Sequence, residues 1–528
     1  MPTLNPVQQS ALSLAIAHAL FMPVTNAATI TVNSTSDAPN AAGCTFREAI
    51  QVSNTNNLGN TGCQISNGAL NNSDEIVFNL TGENNVITLS GSELEVTQTV
   101  SITGPGAEQL TVDANGQSRV LAIRGGENNS TANTNISALA FTGGNSNYAD
   151  DFEQLGFGDT GYGTLADGGA ISISNSPNSI ISDVVITGST TTDGDGGGIS
   201  IERSDELSIN NSVISGNSAI DPTTRFSYGY ENRGGGIFIS NSDFITINES
   251  SITENISTLF GGGISILNIN NLSINNSTIS ANTVTVANGG GIAIRTIGYF
   301  TPQYYAGSSE NFSINSTTVS NNIALNISQL SASTVGGSGG GVYLAGGASG
   351  VIVNSTISGN SANRDNGGGG IATDFDSETR LLSSTIVNNF ANSAGGIFAP
   401  SGFEIAGNNV IANNIGRDCA TSQFFTVITS GINWIGDNTC SIDSSGDPQL
   451  GPLQDNGGAT FTHAPLPGSG LINASTDCSD PLVSGLDQRG EPRGTSTCFI
   501  GSVEGIQENT VNFNVIPLSN GKTVIFPL

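Results

Sequence analysis

The sequence predicts an all-β chain folded as a right-handed parallel β-helix, a solenoid with a short N-terminal capping helix and a disulfide-containing C-terminal module. Three observations carry that expectation. A glycine-led phrase returns as GGAISIS, GGGISIE, GGGIFIS, GGGISIL, GGGIAIR, GGGVYLA, GGGIATD and GGIFAP. Its first apolar residue falls at Ile171, Ile199, Ile237, Ile264, Ile292, Val342, Ile371 and Ile397, at spacings of 28, 38, 27, 28, 50, 29 and 26. A fixed period of this length marks a repeat architecture. A second phrase lies between the glycine blocks, as in LSINNSVISGN, ITINESSITEN, LSINNSTISAN and VIVNSTISGN. Each period also holds three short alternating stretches, such as GIFIS, ITINES and SITEN, and no helix-length segment, which reads as three strands per coil.

From the N-terminus, residues 1–27 read as a signal peptide. ALSLAIAHALFMPV is apolar and Thr25-Asn26-Ala27 fits a cleavage site, although no Lys or Arg precedes Arg47. Residues 28–135 read as an N-terminal cap followed by the first, irregular coils. Thr45 is placed to cap a helix over FREAIQVSN with Phe46, Ala49 and Ile50 on one face. Strands follow at DEIVFNL, NVITLSG, TVSITG, LTVDA and RVLAIRG. Residues 136–415 hold the repeats, with alternating Ile pointing inward. Asn217, Asn255, Asn282, Asn322, Asn360 and Asn389 each sit three residues after an Ile or Val. They are expected to take the left-handed conformation at a turn and to bond to one another along the stack. Residues 416–507 form the C-terminal disulfide module. In the tail, 508–528, VNFNVIPL and TVIFPL flank Ser519-Asn520-Gly521-Lys522, a hairpin signal.

Composition sets the compartment and removes several functions. With 43 acidic and 13 basic residues the chain carries a formal charge of −30, so a phosphate backbone would be repelled and no nucleic-acid partner is expected. Sixty-nine glycines argue against a helical bundle, and 36% hydrophobic residues argue against disorder. No stretch of the mature chain reaches the ~18 apolar residues of a spanning helix. The six cysteines fall as Cys44/Cys63, Cys419/Cys440 and Cys478/Cys498, without a CxxC. Nearest-neighbour pairing is the simplest of the connectivities open to them, and with an export signal it points to a secreted or cell-surface protein.

The motifs CTFREAI, DEIVF, GPGAEQLTVDANGQSRVLAI, DPQLGPLQDNGGATFTHAPLPGSGLINA, DQRGEPR and CFIGSVE resemble the bacterial choice-of-anchor Q domain-containing surface proteins. The repeats are similar to the GGAI and FxxN motifs of polymorphic outer-membrane proteins. The resemblance implies a surface β-helix of adhesin-like character and supplies no catalytic residues. Unlike the polymorphic proteins, this chain shows no series of alternating membrane strands after the repeat.

Any chemistry of the polysaccharide-cleaving kind is expected on the outward face of the glycine-led strands. There Arg295 falls three coils from Glu202 and two from Asp374, about 14 and 10 Å at strand spacing, which is too far for direct acid–base work. Arg203 and Asp376 lie just beyond these strands. The two histidines, His18 and His463, fall outside the repeat. Asp193 and Asp195 are the candidate ligands for Ca2+, a plain acidic turn being the alternative. Seven of eight tyrosines cluster at insertions: Tyr148, Tyr162, Tyr228, Tyr230, Tyr299, Tyr304 and Tyr305. Insertions in solenoids project as loops, and tyrosine suits sugar or protein contact. The expected function is therefore a non-enzymatic, adhesin-like module that binds an extracellular glycan or a host or neighbouring surface protein. The alternatives are a polysaccharide lyase or hydrolase of the pectate-lyase-like β-helix type and a purely structural envelope protein.

Overall fold

A computed structural model describes residues 27–505, apart from 39–40, 126–131, 148–166, 222–231, 297–309, 328–335, 366, 375–376, 401, 422–426, 441–445 and 477, together with the strands 513–517 and 523–527. Residues 1–26 of the segment read above as a signal peptide lie outside the described residues.

The chain is a right-handed parallel β-helix. Each regular coil carries four strands where three were expected. In one coil these are Ile237–Ser240, Ile245–Asn248, Ser251–Thr253 and Ile256–Ser257. Stacked coil on coil they form four sheets, called here front, second, third and fourth, of 11, 14, 12 and 7 strands among the described residues. The fourth strand is only two or three residues long, too short for an alternation to be seen. The glycine-led residues pair in register along the front sheet, Ile199 with Ile237, then Ile264, Ile292, Val342 and Ile371. All of them are fully buried, so one apolar column runs the length of the coil stack.

The corners are built by two adjacent residues with different tasks. Asn217, Asn255, Asn282, Asn322, Asn360 and Asn389 form the expected ladder. Nδ2 of each donates to Oδ1 of the next at 2.9–3.1 Å and to an Ile or Val carbonyl one coil back. The ladder runs on through Asn414 and ends on the carboxylate of Asp418. The left-handed conformation expected of these asparagines belongs instead to the residue before each: Gly216, Glu254, Ala281, Asn321, Gly359 and Asn388. That residue reverses the chain, which turns the next side chain inward onto its neighbours. In Glu254 and Ala281 the reversal costs about 1–2 kcal/mol, which the buried amide bonds offset. A second ladder, with no counterpart among the sequence expectations, lines the preceding corner. Backbone amides of Ser212, Ser250, Ser277, Thr317, Ser355 and Ser384 donate to the hydroxyl or amide oxygen of the following rung. The glycine block makes a third corner. Gly234 is left-handed (φ 63°), and a Cβ on Gly235 would lie 2.4 Å from the Ile256 carbonyl oxygen.

The N-terminal end is closed by a helix over Phe46–Thr55, with a reciprocal Thr45/Glu48 capping box and Phe46, Ala49, Ile50 and Val52 buried. Cys44–Cys63 fastens its entrance. At the other end the coil does not stop at 415. Cys419–Ala420, Ile428–Thr429 and Trp434–Ile435 extend the front, second and third sheets by one more turn, and Cys419–Cys440 clasps it.

Residues 446–505 then fold back along the outside of the third sheet. Gln488 lies at the centre of this contact. Its Nε2 donates to Thr318 and Thr460, and its Oε1 accepts from Thr356. The Ser502 amide donates to Thr385 Oγ1. His463 Nδ1 donates to the Gly451 carbonyl, so its Nε2 accepts from the Ser358 hydroxyl, and burial lowers its pKa to keep it neutral. Arg493, buried, donates to Asn354 Oδ1 and the Gly501 carbonyl. The segment DQRGEPR, residues 487–493, is thus a seam between cover and coil. Cys478–Cys498 ties the cover internally. In the tail, Phe513–Pro517 and Thr523–Pro527 pair antiparallel as the expected hairpin.

Candidate functional site

The outward face of the front sheet keeps the register that the repeat spacing implies. Ser200, Phe238, Ser265, Ala293, Tyr343 and Ala372 stack in one column, and Glu202, Ser240, Leu267, Arg295 and Ala345 in the next. Asp374 follows Thr373, so the gap between Arg295 and Asp374 is the one anticipated. Tyr343, in the intervening coil, occupies it. Its hydroxyl donates to Asp374 Oδ2 at 3.4 Å. Its ring stacks with Phe260, centroids 6.3 Å apart, and the Arg295 guanidinium lies 3.4 Å over the Phe260 ring. Burial, then the Asp374 carboxylate, push the Tyr343 phenol up to about 12. It is therefore a neutral donor at ordinary pH, and no base.

A second cluster precedes the glycine blocks of earlier coils. Arg233 lies 4.4 Å over the Phe238 ring and is ion-paired with Asp195 at 2.6 Å. The Arg233 amide donates to the Asp195 carboxylate, and the Asp195 amide donates to that of Asp167, so each carboxylate receives the chain of the next coil. Burial and the adjacent Asp195 push the Asp167 carboxyl up to about 7. Glu202 is paired with exposed Arg203 at 2.6 Å. The outward side chains of this sheet are covered, with Phe238 3% and Tyr343 8% exposed, while Phe260 and Arg295 are half-buried and Asp374 is exposed.

The seven tyrosines named above, and Asp376, lie outside the described residues. The points where the three tyrosine-bearing stretches leave and rejoin the coil are described. Residues 148–166 and 222–231 end just before front-sheet strands, at Gly168 and Gly234, and 297–309 begins just after Arg295 and Thr296. All three border the front sheet. The calcium reading of Asp193 and Asp195 does not fit this geometry. Asp195 is filled by the Arg233 guanidinium and an amide, and Asp193 stands in a left-handed turn, its carboxyl raised by burial and by Asp221. A hard cation wants six to eight oxygens, and among the described residues no three His, Cys, Asp or Glu side chains group to hold a metal. The sequence alone did not single out Phe260, Arg233 and Asp167. Their shared signal is position, directly before a glycine block.

Among the described residues no helix is long and apolar enough to cross a membrane. No family model matches the chain, and no curated protein matches it. Solved structures similar to it include the A-module of the mannuronan C-5 epimerase AlgE4 of Azotobacter vinelandii, at 13% identity and a TM-score of 0.45 over 78% of this chain and 94% of that one. Pectate lyase Pel9A aligns at 12% identity and a TM-score of 0.44 over 91% and 97%. The Streptococcus pneumoniae surface protein and adhesin PfbA aligns at 10% identity and a TM-score of 0.32 over 76% and 95%.

Proposed function

We propose that this protein is a secreted or surface-exposed β-helix that binds an extracellular glycan, or a protein on a neighbouring surface, through its tyrosine-bearing insertions and does not cleave what it binds. The observation that carries the reading is the placement of the three insertion points, all bordering the front sheet and two of them lying at its corner with the fourth. Tyrosine, a flat apolar ring with a polar tip, suits contact with a sugar or a protein, and insertions in solenoids often carry the binding face. The paired state of the front-sheet charges favours binding over catalysis. Arg233 is held by Asp195, Arg203 by Glu202, and Tyr343 keeps its proton. Three disulfides and the resemblance of the terminal motifs to choice-of-anchor Q surface proteins support the location. One contact favours a second reading, a polysaccharide lyase or hydrolase: the Tyr343–Asp374 hydrogen bond beside Arg295.

The test is a glycan array run with calcium and with chelator, each polysaccharide also assayed for new unsaturated or reducing ends. Saturable binding without products, weakened about tenfold by Tyr304→Ala with Tyr305→Ala, is expected; this corresponds to about 1.4 kcal/mol. Product formation overturns the binding reading and directs attention to Arg295, Tyr343 and Asp374.

A further inference from the structure

The fourth sheet carries an outward column unlike those of its neighbours. Ile256, Thr283, Ile323, Ser361, Phe390 and Ile415 stand opposite one another on six successive coils. Ile256 is 42% exposed, Ile323 37%, Phe390 42% and Ile415 62%, and Ile327 beside them is 62% exposed. The column contains no charge, in a chain of net charge −30. It spans about 24 Å at strand spacing. Four of its six residues are large exposed hydrophobics, interrupted only by the hydroxyls of Thr283 and Ser361, and an uncharged, mainly apolar strip of this kind marks a surface with an occupant.

We propose that this strip is the docking site of the chain's own C-terminal hairpin, Phe513–Pro517 with Thr523–Pro527. Three features single out this occupant. A lone two-stranded hairpin is marginal in water and needs a surface to cover one face. The two strands are FNVIP and TVIFP, uncharged and mostly apolar, and each is about 17 Å long, within the length of the strip. The hairpin is also tethered close by. Ser502 is bonded to Thr385, and Phe390 lies five residues along that same coil. Residues 506–512 can span about 24 Å. The docked hairpin fastens the cover to a second sheet and removes the apolar column from water. The inference uses none of the tyrosine-bearing insertions and is independent of the ligand-binding reading.

Amide hydrogen exchange on the full mature chain tests it, with a synthetic peptide of residues 506–528 as the unprotected reference. The hairpin strands are expected to exchange at least about tenfold more slowly in the protein than in the peptide. Ile323→Ser with Phe390→Ser should return them to the peptide's rate and leave the protection of the asparagine ladder unchanged, which shows that the variant is folded. Exchange at the peptide's rate in the unaltered protein overturns the proposal, as does protection that survives the double substitution. Protection that appears only as concentration rises, with dimer in sedimentation, also overturns it and assigns the strip to a second copy of the chain.

Discussion

The third sheet is used in two ways along its length. In the earlier coils, Val213–Ser215, Ser251–Thr253 and Thr278–Ser280, only the central residue is buried and the flanking side chains meet solvent. In the later coils, Thr318–Ser320, Thr356–Ser358 and Thr385–Val387, every residue is buried beneath the cover formed by 446–505. Inside the coil nothing distinguishes the two regions: Ile214, Ile252, Ile279, Val319, Ile357 and Ile386 fill one column. The outward column runs Val213, Ser251, Thr278, Thr318, Thr356 and Thr385, so hydroxyls stand in both regions, and those of Thr318, Thr356 and Thr385 are bonded to the cover. A repeat that supplies its own backbone partners is indifferent to what lies outside it. The second layer is fixed where Gln488 and Ser502 reach the outward hydroxyls of the later coils.

Removing the buried cation of the cover should separate the two regions most strongly. Arg493→Met leaves Asn354 and the Gly501 carbonyl without their donor, at an expected cost of about 3 kcal/mol. Hydrogen exchange should show loss of protection over 446–505 and the coils beneath, with the coils of Val213 and Ser251 unchanged. Interrupting the internal ladder should make the regions alike. Asn282→Ala under open coils and Asn360→Ala under covered ones should each cost about 2 kcal/mol in denaturant unfolding, because both lose the same bonds. A twofold difference between them would mean that the cover bears on the core. Exchanging outward residues gives a smaller, asymmetric effect. Thr356→Val deletes the bonds to Gln488 and Ser502 and should cost about 1 kcal/mol, while Val213→Thr should be close to neutral.

The last test is one of pH and is read in the open region. Asp167, with a carboxyl raised to about 7, binds more protons folded than unfolded between about pH 4 and 7. Its contribution to stability therefore falls as pH rises through that window and stays lost above it. Asp167→Asn keeps an acceptor for the Asp195 amide. Its melting temperature should match the unaltered protein near pH 4 and exceed it by a few degrees at about pH 8. An equal shift at both would remove Asp167 as the titrating group.

The coil was legible because its two determinants recur in sequence. Inward Ile at each glycine block and Asn three residues beyond an Ile mark the core and one ladder from spacing alone. The capping helix was legible for a local reason, Thr45 standing at the head of a run that puts Phe46, Ala49 and Ile50 on one face. The fourth sheet was hidden because strands as short as Ile256–Ser257 leave no period. The serine ladder was hidden because Ser212 and Ser250 look like ordinary turn residues until stacking aligns them. The cover was the least legible part. Gln488 meets Thr318 across 170 residues, and nothing local in either segment announces the other. On the front face, the register placed Arg295 and Asp374 correctly, but Tyr343 reads in sequence as one more member of a small, neutral column.

The asparagine ladder also bears on how far the molecule can reach. Each rung donates its backbone N–H and its Nδ2 to the Oδ1 of the next rung and accepts the same pair from the rung before, whichever coil it belongs to. Excising residues 256–282 would bring Asn255 onto Asn322 and shorten the rod by one graduation of about 4.8 Å, both ends unaltered. Duplicating the same segment would lengthen it by as much. The protein is in this sense a ruler, and the distance of each front-sheet strand from the capped end is a whole number of coils.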